Sequence, residues 1–223
     1  MSEKLLFDSF LKLILGIFIV ALLLFCSAGT MAFINGWLLI LLLFVPMLLN
    51  VIALFFYNPK LLKKRLQMSE RDQTQKTLVM LTCMMFVAGF VLSGLNFRFS
   101  WHLLPKIVSL LASIIYLLSY VMYVIVLKTN PYLSRSVEIH HDQKLVSNGV
   151  YSVVRHPMYS VSIILFMMMP LILGSLISFF VFLLYPVIIV FRIRNEEKLL
   201  CAELDGYSDY MISVKYRLFP FIW

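Results

Sequence analysis

Apolar residues run along this chain in blocks of about twenty, the length a helix needs to cross a bilayer, separated by short polar joints. The pattern predicts spans over roughly 10–29, 36–57, 78–96 and 104–127. Asn35-Gly36 reads as the turn between the first two. Pro46 and Asn50 inside the second predict a kink. A polar loop occupies 58–77, and the longest interior polar stretch is 128–158. The apolar stretch 159–191 is long enough for two helices and contains Pro170 and Gly174, which predicts a tightly turned helical hairpin. Whether that hairpin crosses fully stays open. A polar, helical tail is expected from Arg192. The fold class is all-α: a polytopic transmembrane helical bundle of four spans plus a C-terminal hairpin. It divides into a membrane region, 1–127, and a region 128–223 that carries the polar chemistry.

Composition agrees. The chain is 62% hydrophobic and 13% charged, against about a quarter charged in a soluble domain. Acidic residues are missing between Asp8 and Glu70, Asp72 and Glu138, and Asp142 and Glu196. The net charge of +8 comes from Lys and Arg flanking apolar runs, which suits membrane topology and not nucleic acid. Loop 58–77 holds Lys60, Lys63, Lys64, Arg65, Arg71 and Lys76. Placing it in the cytosol puts the N-terminus, 128–158 and the tail after Arg192 there too. The run Leu13–Phe25 before Cys26-Ser27-Ala28 could pass for a signal peptide, but Glu3 and Asp8 in its charged region argue for a retained first span. Cys26, Cys83 and Cys201 show no disulfide or metal spacing.

Two clusters carry candidate chemistry. In the first, Gly149-Val150-Tyr151 precedes Arg155-His156-Pro157-Met158-Tyr159. Pro157 disfavours a helical His156, so a helix should start there, with free N–H groups beside Arg155, His156 and Tyr159. A plain helix cap at the headgroups would explain either Arg155 or His156 alone, less easily the whole unit. In the second, Arg192 and Glu196 lie four apart and share a helical face, next to Glu197. An exposed salt bridge is the plain alternative, yet ionisable groups at membrane depth are functional candidates. Tyr116, Tyr120 and Tyr123 at helical spacing read as packing or an interfacial belt. Met167-Met168-Met169 reads as soft filler, and His140-His141 lack the companions of a metal site.

Taken in order, these residues resemble the isoprenylcysteine carboxyl methyltransferase family, itself similar to membrane phospholipid methyltransferases. The resemblance rests on Leu145-Val146, Gly149-Val150-Tyr151, Arg155-His156-Pro157-x-Tyr159, Arg192-x-x-x-Glu196-Glu197-x-x-Leu200, Gly206-Tyr207-x-x-Tyr210 and Val214-x-Tyr216-Arg217-Leu218-x-Pro220. It implies S-adenosyl-L-methionine as cofactor, bound on the cytosolic side between the hairpin and the tail. Carried over by position, Gln143, Lys144, Leu145, Val146, Tyr151, His156, Pro157, Met158, Tyr159, Glu196 and Glu197 would hold it. Arg192 would face a lipophilic methyl acceptor entering from the bilayer, and Arg192, Glu196 and Arg155 would form the catalytic group. No metal is implied.

The ending Val214-Lys215-Tyr216-Arg217-Leu218 with Pro220 and Trp223 also resembles membrane sterol reductases, which use NADPH. Arg135, Lys144, Arg194 or Lys215 would then meet the 2′-phosphate. Met158 and Glu196-Glu197 favour the methyltransferase over that reading. A transporter or a non-catalytic membrane partner is a third possibility. No polar pair sits mid-bilayer in spans one, three or four, where a permeation site is expected.

Overall fold

The computed structural model describes residues 2–66, 72–133 and 143–223. Within them the chain forms nine α-helices and a 3-10 turn, Gly149–Ser152, with no strand. The long helices are α1 (Ser2–Ala28), α2 (Ile34–Tyr57), α4 (Gln73–Phe99) and α5 (Lys106–Thr129), joined by the short α3 (Pro59–Leu66). The hairpin comprises α6 (Pro157–Ile172), α7 (Leu176–Phe182) and α8 (Leu184–Glu203), and α9 (Tyr207–Ser213) follows. The all-α polytopic bundle expected from the hydrophobic pattern is the fold observed.

Among the described residues five segments are long and apolar enough to cross a membrane, the fifth being Leu176–Glu203. Their outward faces carry bare Leu, Ile and Phe: Phe7, Ile14, Phe18, Leu118 and Phe180 are each at least 60% exposed. Apolar surface on that scale around a helical bundle suits lipid as solvent, since helices satisfy their own backbone groups. This is a multi-pass integral membrane protein. The hairpin's arms are unequal. α6 has 16 residues, about 24 Å at 1.5 Å per residue, whereas α7 and α8 together match a full span.

Local chemistry places most element ends. Asn58 Oδ1 accepts the Leu61 N–H at 3.1 Å and starts α3 at Pro59. Asp72 Oδ1 accepts the Gln75 N–H at 2.8 Å and starts α4. Gly174, with φ +73°, turns the hairpin. The turn between the first two helices differs from the one expected. It is made at Gly29, whose φ of +69° glycine adopts without a Cβ penalty. Asn35 and Gly36 belong to α2. There the missing Cβ of Gly36 lets the Phe33 and Phe25 rings close in, at 3.1 and 3.3 Å from where a Cβ would stand. Helix α2 continues through Pro46.

Packing is close where side chains are small. Gly94 of α4 lies against α1, and a Cβ there would stand 2.7 Å from Leu24 O and 2.8 Å from Ala28 N. α5 runs along α6, and α4 contacts α1, α7 and α8. Lys12 Nζ of α1 donates to Leu66 O at 2.6 Å, tying α3 to the bundle end that also holds the starts of α4 and α6. The polar tail is not a separate helix. Arg192, Glu196 and Glu197 lie on the unbroken continuation of α8, so the apolar arm itself positions them.

Candidate functional site

The helix start expected at His156 is observed. His156 caps α6, with Pro157 in the first turn, where its missing N–H costs nothing. The preceding backbone pairs with the C-terminal segment: Arg155 N donates to Tyr216 O and His156 N to Arg217 O, each at 2.9 Å. Ser160 Oγ adds a bond to Leu218 O at 2.6 Å. The ending Val214–Trp223 is thereby clipped onto the start of α6.

Glu197 locks this assembly to α8. Its Oε1 accepts from Arg155 Nε at 2.8 Å and lies 3.3 Å from His156 Nε2, and its Oε2 accepts from Arg217 Nε at 2.8 Å. Arg155 Nη1 donates further to Val214 O at 2.8 Å and Lys215 O at 3.2 Å. Arg155, His156 and Glu197 are all buried. A carboxylate taken out of water is tolerated here because each oxygen meets cationic donors.

Glu196, one residue earlier, belongs to a different set. Tyr159 Oη donates to Glu196 Oε2 at 2.7 Å and accepts from Arg192 Nε at 2.9 Å. One turn of α8 thus presents a cation and an anion joined through a phenol. The backbone beneath is braced from α4: Gln75 Nε2 donates to Arg192 O at 3.3 Å, and Asn195 Nδ2 to Asp72 Oδ1 at 3.0 Å.

These groups open onto a cavity of about 570 Å³. Its polar part is lined by Gln143, Lys144, Tyr151, Arg155, His156, Tyr159, Arg192 and Glu196. Its apolar part reaches between the long helices, past Leu43, Met47, Val79, Phe86, Leu165 and Phe166. Tyr151 is fixed at both ends: Asn130 Nδ2 donates to its hydroxyl at 3.1 Å, and Tyr210 Oη to its carbonyl at 2.6 Å. Burial pushes the phenols of Tyr151 and Tyr210 up, the latter to about 12, so both stay neutral. Tyr207 also lines the cavity. Its ring is buried and its hydroxyl has no hydrogen-bond partner among the described residues.

A cavity with polar recognition groups at one end and membrane-depth apolar walls at the other suits a soluble cofactor meeting a lipid. Residues 110–202 match the model of the isoprenylcysteine carboxyl methyltransferase (ICMT) family. Over these residues the chain is similar to the ICMT family. No curated protein matches the chain. The matched segment begins within α5 and ends within α8, so it straddles the division at 127/128 drawn from the sequence. That similarity, inside a bundle of apolar helices, points to a membrane methyltransferase.

Gln143, Lys144, Leu145, Val146, Tyr151, His156, Met158, Tyr159, Arg192, Glu196 and Arg155 line the cavity. Pro157 and Glu197 do not; Pro157 is in the first turn of α6, and Glu197 is taken up by Arg155 and Arg217. Among cations considered for a nucleotide 2′-phosphate, Lys144 lines the cavity, whereas Arg194 and Lys215 are exposed and do not. Arg135, His140 and His141 lie outside the described residues. The tyrosines read as packing, Tyr116, Tyr120 and Tyr123, form part of the cavity wall. Arg65 and Asn130 line it too. Neither belongs to a motif, and only their place in the fold reveals them.

Proposed function

We propose that this protein transfers the methyl group of S-adenosylmethionine to a lipophilic acceptor, a carboxylate of the isoprenylcysteine kind, at the cytosolic face of the membrane. The observation that carries the reading is the Arg192–Tyr159–Glu196 chain, held rigidly where the polar and apolar parts of one cavity meet. The family match supports it, and the Lys and Arg of 58–77 support the cytosolic placement.

The donor set fits the cofactor. Glu196 can accept hydrogen bonds from ribose hydroxyls or an amino group. Tyrosine rings such as Tyr151 suit both a flat base and a sulfonium cation. The buried Tyr207 hydroxyl is one more donor. Bound there, S-adenosylmethionine would supply an electrophilic methyl group. Arg192 would hold the acceptor carboxylate, with a fork that can contact both oxygens. That carboxylate is ionised at neutral pH, its pKa being roughly 4, so no general base is required of the chain. Tyr159 sets the guanidinium against Glu196, and this arrangement limits the freedom of both reactants. The apolar walls exclude water and admit the acceptor's lipid part.

Titration calorimetry on detergent-purified protein tests the reading. Saturable binding of S-adenosylmethionine and S-adenosylhomocysteine, weakened in Glu196→Ala, is expected. Binding of NADPH with neither of these would move the chain to the reductases and end the proposal.

A further inference from the structure

Besides Arg155 and Arg192, the cavity is lined by a third arginine, Arg65, which lies outside the matched segment. Arg65 is in the last turn of α3. It lies four residues after Leu61 and three after Leu62, both buried, so it shares the inward face of this short helix. Lys60 and Lys63 are exposed instead. Arg65 is therefore not simply one of the loop's surface cations. Its Nη2 donates to Tyr123 Oη at 2.8 Å, and the guanidinium lies over the Tyr123 ring, 5.4 Å from its centroid. Both residues line the cavity. Tyr151 feels the charges of both Arg65 and Glu196, so the cation stands in the same chamber as the proposed cofactor contacts.

Among the described residues no carboxylate pairs with Arg65; the ion pairs there converge on Glu197. A half-buried guanidinium held by a phenol hydroxyl, with no carboxylate beside it, presents its charge to the chamber. We propose that Arg65 is an anion anchor of the cavity and that its ligand is a carboxylate. The inference rests on the methyltransferase reading. That reading offers two sources of a carboxylate, the amino-acid part of the cofactor and the acceptor.

The test compares full-length protein with Arg65→Gln and Arg65→Lys in detergent. Two nucleosides are titrated: S-adenosylhomocysteine, and 5′-methylthioadenosine, which lacks the amino-acid part. Methylation of an S-farnesylated cysteine with a blocked amine is measured alongside. If the anchor holds the cofactor's carboxylate, Arg65→Gln weakens S-adenosylhomocysteine about tenfold or more, as loss of a hydrogen bond to a charged group implies. Methylthioadenosine affinity stays unchanged, which also shows that the variant is folded, and Arg65→Lys recovers part of the loss. If it holds the acceptor's carboxylate, both nucleosides bind as before and KM for the farnesylated cysteine rises by a similar factor at little cost in kcat. Equal weakening of both nucleosides, or no change in nucleoside affinity and acceptor KM, overturns the assignment. Failure of the unaltered protein to bind S-adenosylhomocysteine overturns the methyltransferase reading and the assignment together.

Discussion

Glu196 and Glu197 are adjacent on α8 and serve different surroundings: the first lines the cavity and accepts from Tyr159, the second does not line it and accepts from Arg155 and Arg217. Successive helical residues point about 100° apart, so one step along the chain moves from the chamber to its frame. The two should separate experimentally. Glu196→Gln is expected to weaken S-adenosylhomocysteine about tenfold or more while leaving the melting temperature in detergent nearly unchanged. Glu197→Gln strands two arginines, and removing one partner of a buried pair costs about 3–5 kcal/mol. A fall in melting temperature confined to Glu197→Gln is the expected result. Equal destabilisation by both variants would contradict the division.

Arg192 and Glu196 share Tyr159, so their losses should differ in kind and meet at the phenol. Arg192→Ala is expected to cut kcat for the farnesylated cysteine more than it weakens cofactor binding, with Glu196→Ala the reverse. Arg192→Lys should recover only part of kcat, because an ammonium lacks the planar fork. Tyr159→Phe should affect both quantities. A double-mutant cycle between Tyr159→Phe and Arg192→Ala should show a coupling of about 0.5–3 kcal/mol. Additive losses would mean that the phenol does not link the pair.

Much of this was legible before the structure. The long apolar runs announce the bundle because a bilayer leaves few other backbone solutions. Pro157 announces the start of α6, and the i,i+4 spacing announces that Arg192 and Glu196 share a face. What stayed hidden depends on rotation and on distant partners. The sequence joins Glu196 and Glu197 as one acidic pair, and only the phase of α8 against Arg155 and Arg217 separates them. Asn35-Gly36 has the composition of a turn, yet Gly29 makes it, since close aromatic packing is as good a reason for a glycine as a positive φ. Arg65 is one of six cations in its loop until Leu61 and Leu62 show which way α3 faces.

Helix packing in the bundle makes its own forecast at Gly94. A methyl group there meets the backbone of α1 at Leu24 and Ala28, which cannot rotate aside. Gly94→Ala should therefore destabilise by about 1–3 kcal/mol, the usual cost of overpacking. Gly16 provides the control, since its added Cβ would meet only the Phe44 ring at 3.1 Å. Melting in detergent should show a clear drop for Gly94→Ala and a much smaller one for Gly16→Ala. Matching drops would mean that loss of glycine in a helix, and not the α1–α4 contact, sets the effect.

Tyr207 gives a prediction whose sign changes with the cofactor. Its hydroxyl is buried and has no hydrogen-bond partner among the described residues, and the ring lines the cavity. A buried polar group left unsatisfied costs about 1–3 kcal/mol. Tyr207→Phe removes that cost with little change of shape, so the ligand-free protein should melt at the same temperature or higher. If the hydroxyl donates to the bound cofactor, the same variant loses a hydrogen bond on binding, and S-adenosylhomocysteine should weaken about three- to tenfold. The thermal shift produced by saturating S-adenosylhomocysteine should shrink accordingly. An unchanged affinity with a raised melting temperature would make Tyr207 a packing residue. A lowered melting temperature without ligand would mean that the hydroxyl already has a partner in the resting protein.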